Sequence, residues 1–284
     1  MSAKIIDGKA IAADLQAQLA LKIKNFMSTP QGRAPCLAVI LVGSDPASTI
    51  YVNRKQKAAS KIGITSKVIR LNNETEEHQL VAMIKDLNRD VSVDGILVQL
   101  PLPKHISTNN VIEAINPDKD VDGLTAHNQG LLALNLPGFV PCTPRGVMTL
   151  LEHTGVNLPG KIAAVIGRSR LVGSPIARLL THAHATVIQI HSQTPYPHHL
   201  TRLADIVVAA AGNRGLVSQE WIKPGAIVID VGIHRFGEKI VGDVNFYEVA
   251  KIASHISPVP GGVGPMTIAS LLANTCQAYE KSHC

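Results

Sequence analysis

Hydrophobic positions along this chain follow two alternating rhythms. Ile11, Leu15, Leu19, Ile23 and Phe26 recur every three to four residues, the spacing of a helix with one apolar face. "CLAVILVG" (36–43) then runs apolar without a break and ends on glycine, which predicts a strand covered on both faces. "YVNRKQKAASKIG" (51–63) predicts a helix, "ITSKVIRL" a second strand, and "ETEEHQLVAMIKDLN" a helix with Leu80, Ile84 and Leu87 on one side. "DGILVQLPLP" (94–103) is a third strand, stopped by Pro101 and Pro103. After a proline-rich crossing, "LPGFVPCTP" (136–144), the pattern restarts. "KIAAVI", "ATVIQI", "ADIVVAAAG" and "AIVIDVGI" predict four continuous, mostly β-branched strands, with helical stretches between the first of them. The last helix, "MTIASLLANTCQAYEKS" (266–282), follows a glycine-rich loop, and its pattern suits packing on either unit. Alternating strands and helices imply an α/β chain with two parallel-sheet domains, divided at the crossing.

Composition narrows the partners. The chain has 284 residues, room for two domains, and an ordinary globular balance of 45% hydrophobic and 17% charged residues. A net charge of +6 suits anionic ligands such as phosphates and carboxylates, and equally a solvated basic surface. Aromatics at 3% and the lack of a Lys/Arg run argue against nucleic acid. Cys36, Cys142, Cys276 and Cys284 form neither a disulfide framework nor a zinc pattern. The start, "MSAKIIDGKA", has no leader-like apolar core, and no apolar run approaches the ~20 residues that span a bilayer. These features point to a cytoplasmic protein that binds no membrane.

The loop "GRSRLVGSP" (167–175) follows a buried strand, where a dinucleotide-binding protein carries G-x-G-x-x-G. The spacing differs: Gly167 and Gly173 are present, but Ser169 holds the middle place. Ser174 as a cap and Pro175 in the first turn would open a helix whose N–H groups attract phosphate. A plain tight turn has the same parts. The next strand ends in His191-Ser192-Gln193-Thr194, without the acid that grips a ribose in NAD-type sites. Arg168 and Ser192 could instead hold a 2′-phosphate. In the first unit, Tyr51 and Lys55 share a helix face, and Gln99 is a polar group ending an apolar strand. "DKDVDG" (118–123) lacks the ligand spacing of an EF-hand. His182, His184, His198 and His199 do not form the i, i+4 pair with glutamate of a helical zinc site, so no metal is expected. Taken singly, Lys55 reads as a surface charge, Tyr51 as a core edge and Asp122 as a turn former.

Together, "YVNRKQKAASKIGI", "DGILVQLPLP", "DKDVDG", "PCTP", "GRSRLVGSP", "ADIVVAAAG", "VIDVGI" and "PVPGGVGPMT" stand in an order that closely resembles the bifunctional methylenetetrahydrofolate dehydrogenase/methenyltetrahydrofolate cyclohydrolase (FolD) family. The resemblance implies a folate-binding catalytic domain over 1–144, to which the helix 266–284 returns, and a Rossmann-like NADP-binding domain over 145–265, with the active-site cleft between them. It implies oxidation of 5,10-methylenetetrahydrofolate by NADP, then hydrolysis to 10-formyltetrahydrofolate, in a homodimer. By position, Lys55 resembles the catalytic lysine, Gln99 its hydrogen-bond partner, Tyr51 the aromatic stacked on folate and Asp122 the carboxylate on the pterin. Gly167, Arg168, Ser169, Gly173, Ser192 and Ile233 match cofactor positions. Pro260, Gly261 and Gly262 match the loop where folate meets nicotinamide. Gln193 in place of a common lysine, and "GNRG" (212–215) in place of "GKPG", depart from the pattern and bear on cofactor affinity. The rivals are a dehydrogenase without the hydrolytic step or one acting on another small acid, and a non-catalytic dinucleotide-binding or sensor protein. The Tyr51, Lys55, Gln99 and Asp122 set argues against another acid, and an intact lysine and glutamine argue against the sensor.

Overall fold

The computed structural model describes residues 2–30 and 32–283. Cys284 therefore lies outside the described residues. The chain divides into two compact units, Asp14–Cys142 with Ile268–Cys284, and Met1–Ala13 with Thr143–Thr267. Each has its own sheet.

The first sheet is parallel, in the order Thr65–Leu71, Cys36–Val42, Gly95–Val98. All seven residues of Cys36–Val42 are buried, because side chains alternate between two covered faces. Leu37, Val39 and Leu41 pack with Val52, Ala59 and Ile62 of the helix Pro46–Ile62 and with Leu271, Leu272 and Cys276 of the last helix. Cys36, Ala38, Ile40 and Val42 pack with Leu80, Ile84 and Leu87 of the helix Glu77–Arg89. The helix expected from residue 51 begins five residues earlier. Asp45 caps it by accepting from Ser48 N at 2.7 Å, Pro46 opens it, and Gly63 closes it at φ 91°. The sheet's order reverses beside Cys36–Val42: the chain moves out to Thr65–Leu71 and returns across to Gly95–Val98. Ligands gather at the carboxyl end of such a reversal.

The second sheet has six parallel strands. Their order is Lys4–Ile5, His255–Ile256, Ile227–Asp230, Ile206–Ala209, Ile162–Ile166, Thr186–Ile190. Four match the expected strands. The other two are two-residue strands, too short for periodicity to reveal. One of them, Lys4–Ile5, places the chain's first residues with this sheet, whereas the sequence reading counted them with the folate half. Here the order reverses between Ile162–Ile166 and Ile206–Ala209, next to Gly167. A hairpin of His234–Phe236 and Lys239–Val241 stands apart from the sheet.

The last helix, Val263–His283, belongs to the first unit from Ile268 onward. Asn274 fixes it there, donating to the carbonyls of Val121 at 2.8 Å and Val140 at 2.9 Å. No described helix is long and apolar enough to cross a membrane.

Candidate active site

In the first unit the structure brings Tyr51, Lys55, Gln99 and Asp122 together. The helix Pro46–Ile62 carries Tyr51 and Lys55 one turn apart, and the Lys55 ammonium lies 5.6 Å from the centre of the Tyr51 ring. Lys55 is only 7% exposed. Its Nζ donates to Gln99 Oε1 at 2.9 Å, and Gln99 Nε2 donates to the Leu100 carbonyl at 2.7 Å. Gln99 therefore presents only its oxygen to the lysine. Its backbone N–H reaches the Ile40 carbonyl at 2.8 Å, which fixes it at the reversal of the sheet.

Burial lowers the Lys55 pKa, and the charge of Asp122 opposes that shift. Burial raises the Asp122 pKa, while Lys55 and a hydrogen bond with Cys142 pull it back down. Burial also raises the Tyr51 phenol. The three aspartates of "DKDVDG" have separate tasks. Asp118 pairs with Lys281 at the surface. Asp120 is buried and accepts from Leu124 N, Thr125 N, Thr125 Oγ1 and Asn128 Nδ2, so it holds the loop. Asp122 remains to face Lys55.

In the second unit, Gly167 adopts φ 123°, and a side chain there would overlap the Ala210 carbonyl. A Cβ on Gly173 would strike the Gly167 carbonyl. Both glycines are thus required by close backbone approach. The cap differs from expectation. The helix Gly173–His182 starts at Gly173, and Ser169 Oγ accepts from Val172 N at 3.2 Å and Gly173 N at 3.5 Å. The Ser174 hydroxyl instead donates back to the Arg168 carbonyl at 3.1 Å. Arg168, Ser169 and Ser192 are exposed. Arg168 and Ser192 follow neighbouring strands that pair Ile166 with Ile190. Ile233 is 53% exposed beyond the strand Ile227–Asp230. Gly261 and Gly262 are buried, Gly261 at φ 116°, and Gly262 N reaches the Pro258 carbonyl at 2.8 Å, which folds the loop that exposes Pro260.

Residues 6–122 match the tetrahydrofolate dehydrogenase/cyclohydrolase catalytic domain, and residues 141–283 match the NAD(P)-binding domain of the same family. The chain belongs to the tetrahydrofolate dehydrogenase/cyclohydrolase family. It is 52% identical to the bifunctional protein FolD of Janthinobacterium sp. (strain Marseille), over 99% of both chains. The crystal structure of the bifunctional enzyme FolD from Campylobacter jejuni superposes with a TM-score of 0.96 at 48% identity, covering 99% of both chains. The Trypanosoma brucei enzyme, solved with NADP cofactor and inhibitor, superposes with a TM-score of 0.96 at 39% identity, covering 100% of this chain and 99% of that one. The chain is accordingly an oxidoreductase and hydrolase of one-carbon tetrahydrofolates, using a nicotinamide dinucleotide. The second unit suits that cofactor: bare glycine backbone stands at the sheet's reversal, with an exposed arginine and serine beside it.

Sequence reasoning missed several side chains around these sites. Asn274 comes from a distant segment and carried no local signal, and Cys142 stood in the motif "PCTP" without any sign that it would lie beside Asp122. Asp230 did carry one, as an acid ending the apolar run "IVID". It is 4% exposed and accepts from Gly232 N at 3.0 Å, Asp243 N at 2.9 Å and Val244 N at 3.0 Å. Among the described residues no group of three His, Cys, Asp or Glu could hold a metal ion.

Proposed function

We propose that Lys55 is the acid/base group of the hydrolytic step, held by Gln99 and opposed by Asp122, and that NADP is the hydride acceptor of the oxidation. One observation carries this reading: a nearly fully buried amine whose Nζ is tied to an amide oxygen, with its pKa lowered by burial. NADP, when bound, supplies the nicotinamide carbon that accepts hydride from the methylene bridge of 5,10-methylenetetrahydrofolate. For that step the chain mainly aligns its ligands. The Tyr51 ring stacks on the folate and Asp122 grips the pterin. Pro260, Gly261 and Gly262 bind substrate, as the family resemblance implies. Gly167, Ser169 and Gly173 bring bare backbone to the diphosphate, Arg168 and Ser192 hold the 2′-phosphate, and Ile233 lines the cofactor site. With no acid ending the strand Thr186–Ile190, NADP is preferred over NAD, although Gln193 adds no charge.

Hydrolysis of the methenyl cation asks more. Water adds to the bridging carbon and loses a proton; the carbon–N5 bond then breaks and N5 gains a proton. Lys55 as a neutral amine takes the first proton and as an ammonium returns one to N5, while the hydroxyl proton of the adduct leaves to solvent. The product is 10-formyltetrahydrofolate. The folate-binding domain comprises Asp14–Cys142 and the last helix from Ile268 onward, and the NADP-binding domain comprises Thr143–Thr267 with Met1–Ala13. The protein works as a cytoplasmic homodimer that binds neither nucleic acid nor membrane, a reading supported by the family resemblance.

Lys55→Met keeps much of the side-chain length and removes the amine. It is expected to lower methenyltetrahydrofolate hydrolysis by about 10²–10⁴-fold while folate binding survives. Hydrolysis near the wild-type rate in this variant would show that Lys55 is a packing residue.

A further inference from the structure

At the carboxyl edge of the second sheet two buried aspartates act in series. Asp230, at the strand end, accepts the backbone N–H groups of Gly232, Asp243 and Val244. Asp243, fully buried, spends its own carboxylate on three more donors. Its Oδ2 accepts from Ala211 N at 2.7 Å and Gly212 N at 2.9 Å, and its Oδ1 lies 2.7 Å from His234 Nε2. The space is closed by glycines. A Cβ on Gly232 would overlap the Asp243 carboxylate, and a Cβ on Gly242 would overlap that of Asp230.

The segments gathered here follow two neighbouring strands. Ala211 and Gly212 come after Ile206–Ala209, the strand at the sheet's reversal; Gly232, Ile233 and His234 come after Ile227–Asp230. Ala210, the residue before the clamp, is the one whose carbonyl abuts Gly167. The network therefore adjoins the glycine turn, and Ile233 lies between two of its members. Its outer member, His234, keeps 23% of its side chain exposed.

We propose that Asp243, seated on Asp230 and paired with His234, is a positioning residue of the dehydrogenase. It fixes the backbone of Ala211–Gly212 and of Ile233–His234 that forms the floor of the dinucleotide site, and so sets the KM for NADP without a part in hydrolysis. This rests on the reading above that the Gly167 loop and Ile233 hold the cofactor. A carboxylate suits the task because one group can accept several N–H donors, and charge-assisted bonds are the strong ones. His234 completes it: without that donor, Oδ1 stays buried and unpaired, and the clamp loosens.

The two activities supply an internal control, since hydrolysis of methenyltetrahydrofolate can be measured with no NADP present. His234→Ala is expected to raise the KM for NADP about tenfold, with kcat within about twofold and the NADP-free hydrolysis rate unchanged. His234→Gln places an amide Nε2–H where the imidazole Nε2 stood, can still donate to Oδ1, and should restore most of the affinity. An unchanged KM in His234→Ala overturns the proposal, and so does a parallel fall of both activities, which would mark the network as support for folding alone. Arg168→Ala separates this proposal from the reading beneath it. If Arg168→Ala raises the KM for NADP and His234→Ala does not, only the positioning role fails. If Arg168→Ala leaves the KM untouched, the assignment of the cofactor loop fails, and the proposal with it.

Discussion

Lys55 and Asp230 show one force acting on opposite charges. Burial disfavours whichever form is ionised, so the Lys55 amine moves towards neutrality, the state a base needs, and the Asp230 carboxyl is pushed up to about 6. Three backbone N–H donors hold the Asp230 value down from still higher. The consequence for stability has a definite sign. The folded pKa of Asp230 exceeds the unfolded value of about 3.9, so the folded state binds more protons between the two. Its contribution is fully present below about pH 4 and is lost as pH rises through about 6. A neutral amide looks like a remedy, but the hydrogen bonds forbid it. In Asp230→Asn the amide oxygen can serve Gly232 and Asp243, which turns the NH₂ against the Val244 N–H. The variant should lose about 1–3 kcal/mol in urea unfolding at neutral pH, and its stability should vary less between about pH 4 and 6. Stability equal to or above wild type would contradict this account.

Among the elements, the two buried strands of the first sheet start from a shared anchor. Arg33, just ahead of Cys36–Val42, forks onto Asp94, just ahead of Gly95–Val98, with Nη1–Oδ2 at 2.7 Å and Nη2–Oδ1 at 2.8 Å. Cys36 N donates to the same carboxylate at 2.7 Å, and Asp94 N returns a bond to the Cys36 carbonyl at 2.9 Å. Asp94 is buried, so removing the guanidinium leaves a carboxylate with one backbone donor. Arg33→Ala should cost about 2–3 kcal/mol, below the full figure for a buried pair because the Arg33 side chain is 30% exposed. Arg33→Lys should recover only part, since a point charge cannot span both oxygens. A shift in the denaturation midpoint at constant m-value checks this; a cost under about 0.5 kcal/mol would mean the fork is ornamental.

For the whole molecule, the last helix decides whether the first unit has a core. Leu271, Leu272, Ala273, Cys276 and Ala278 all lie in the cluster built on Leu37, Val39 and Leu41. Each larger apolar side chain there contributes roughly 1.5–3 kcal/mol, so together they rival a domain's net stability. Asn274 adds hydrogen bonds to the segments that carry Asp122 and Cys142. A chain ending at Thr267 should therefore lose both activities and much of its helical circular dichroism, not merely the signal of one helix. Retained hydrolysis of methenyltetrahydrofolate in that truncation would show that the catalytic half folds without its C-terminal segment.

Local rules acting over a few residues made most of this protein legible in its sequence. The buried strands, the helix face of Leu80, Ile84 and Leu87, the stop at Pro101 and the glycine turn at Gly167 follow from side-chain period and backbone freedom, which a short window contains. Tyr51, Lys55, Gln99 and Asp122 were legible as an ordered set of motifs, and the family resemblance implied that Gln99 meets Lys55, but no local rule shows that meeting. Only the fold seats Gln99 against Lys55, divides the tasks of Asp118, Asp120 and Asp122, and buries the amine enough to lower its pKa. The strand Lys4–Ile5, the destination of the last helix and the Asp230–Asp243–His234 network likewise depend on partners far along the chain. Periodicity records which residues are buried; what they are buried against, and hence their charge and chemistry, is a property of the tertiary structure.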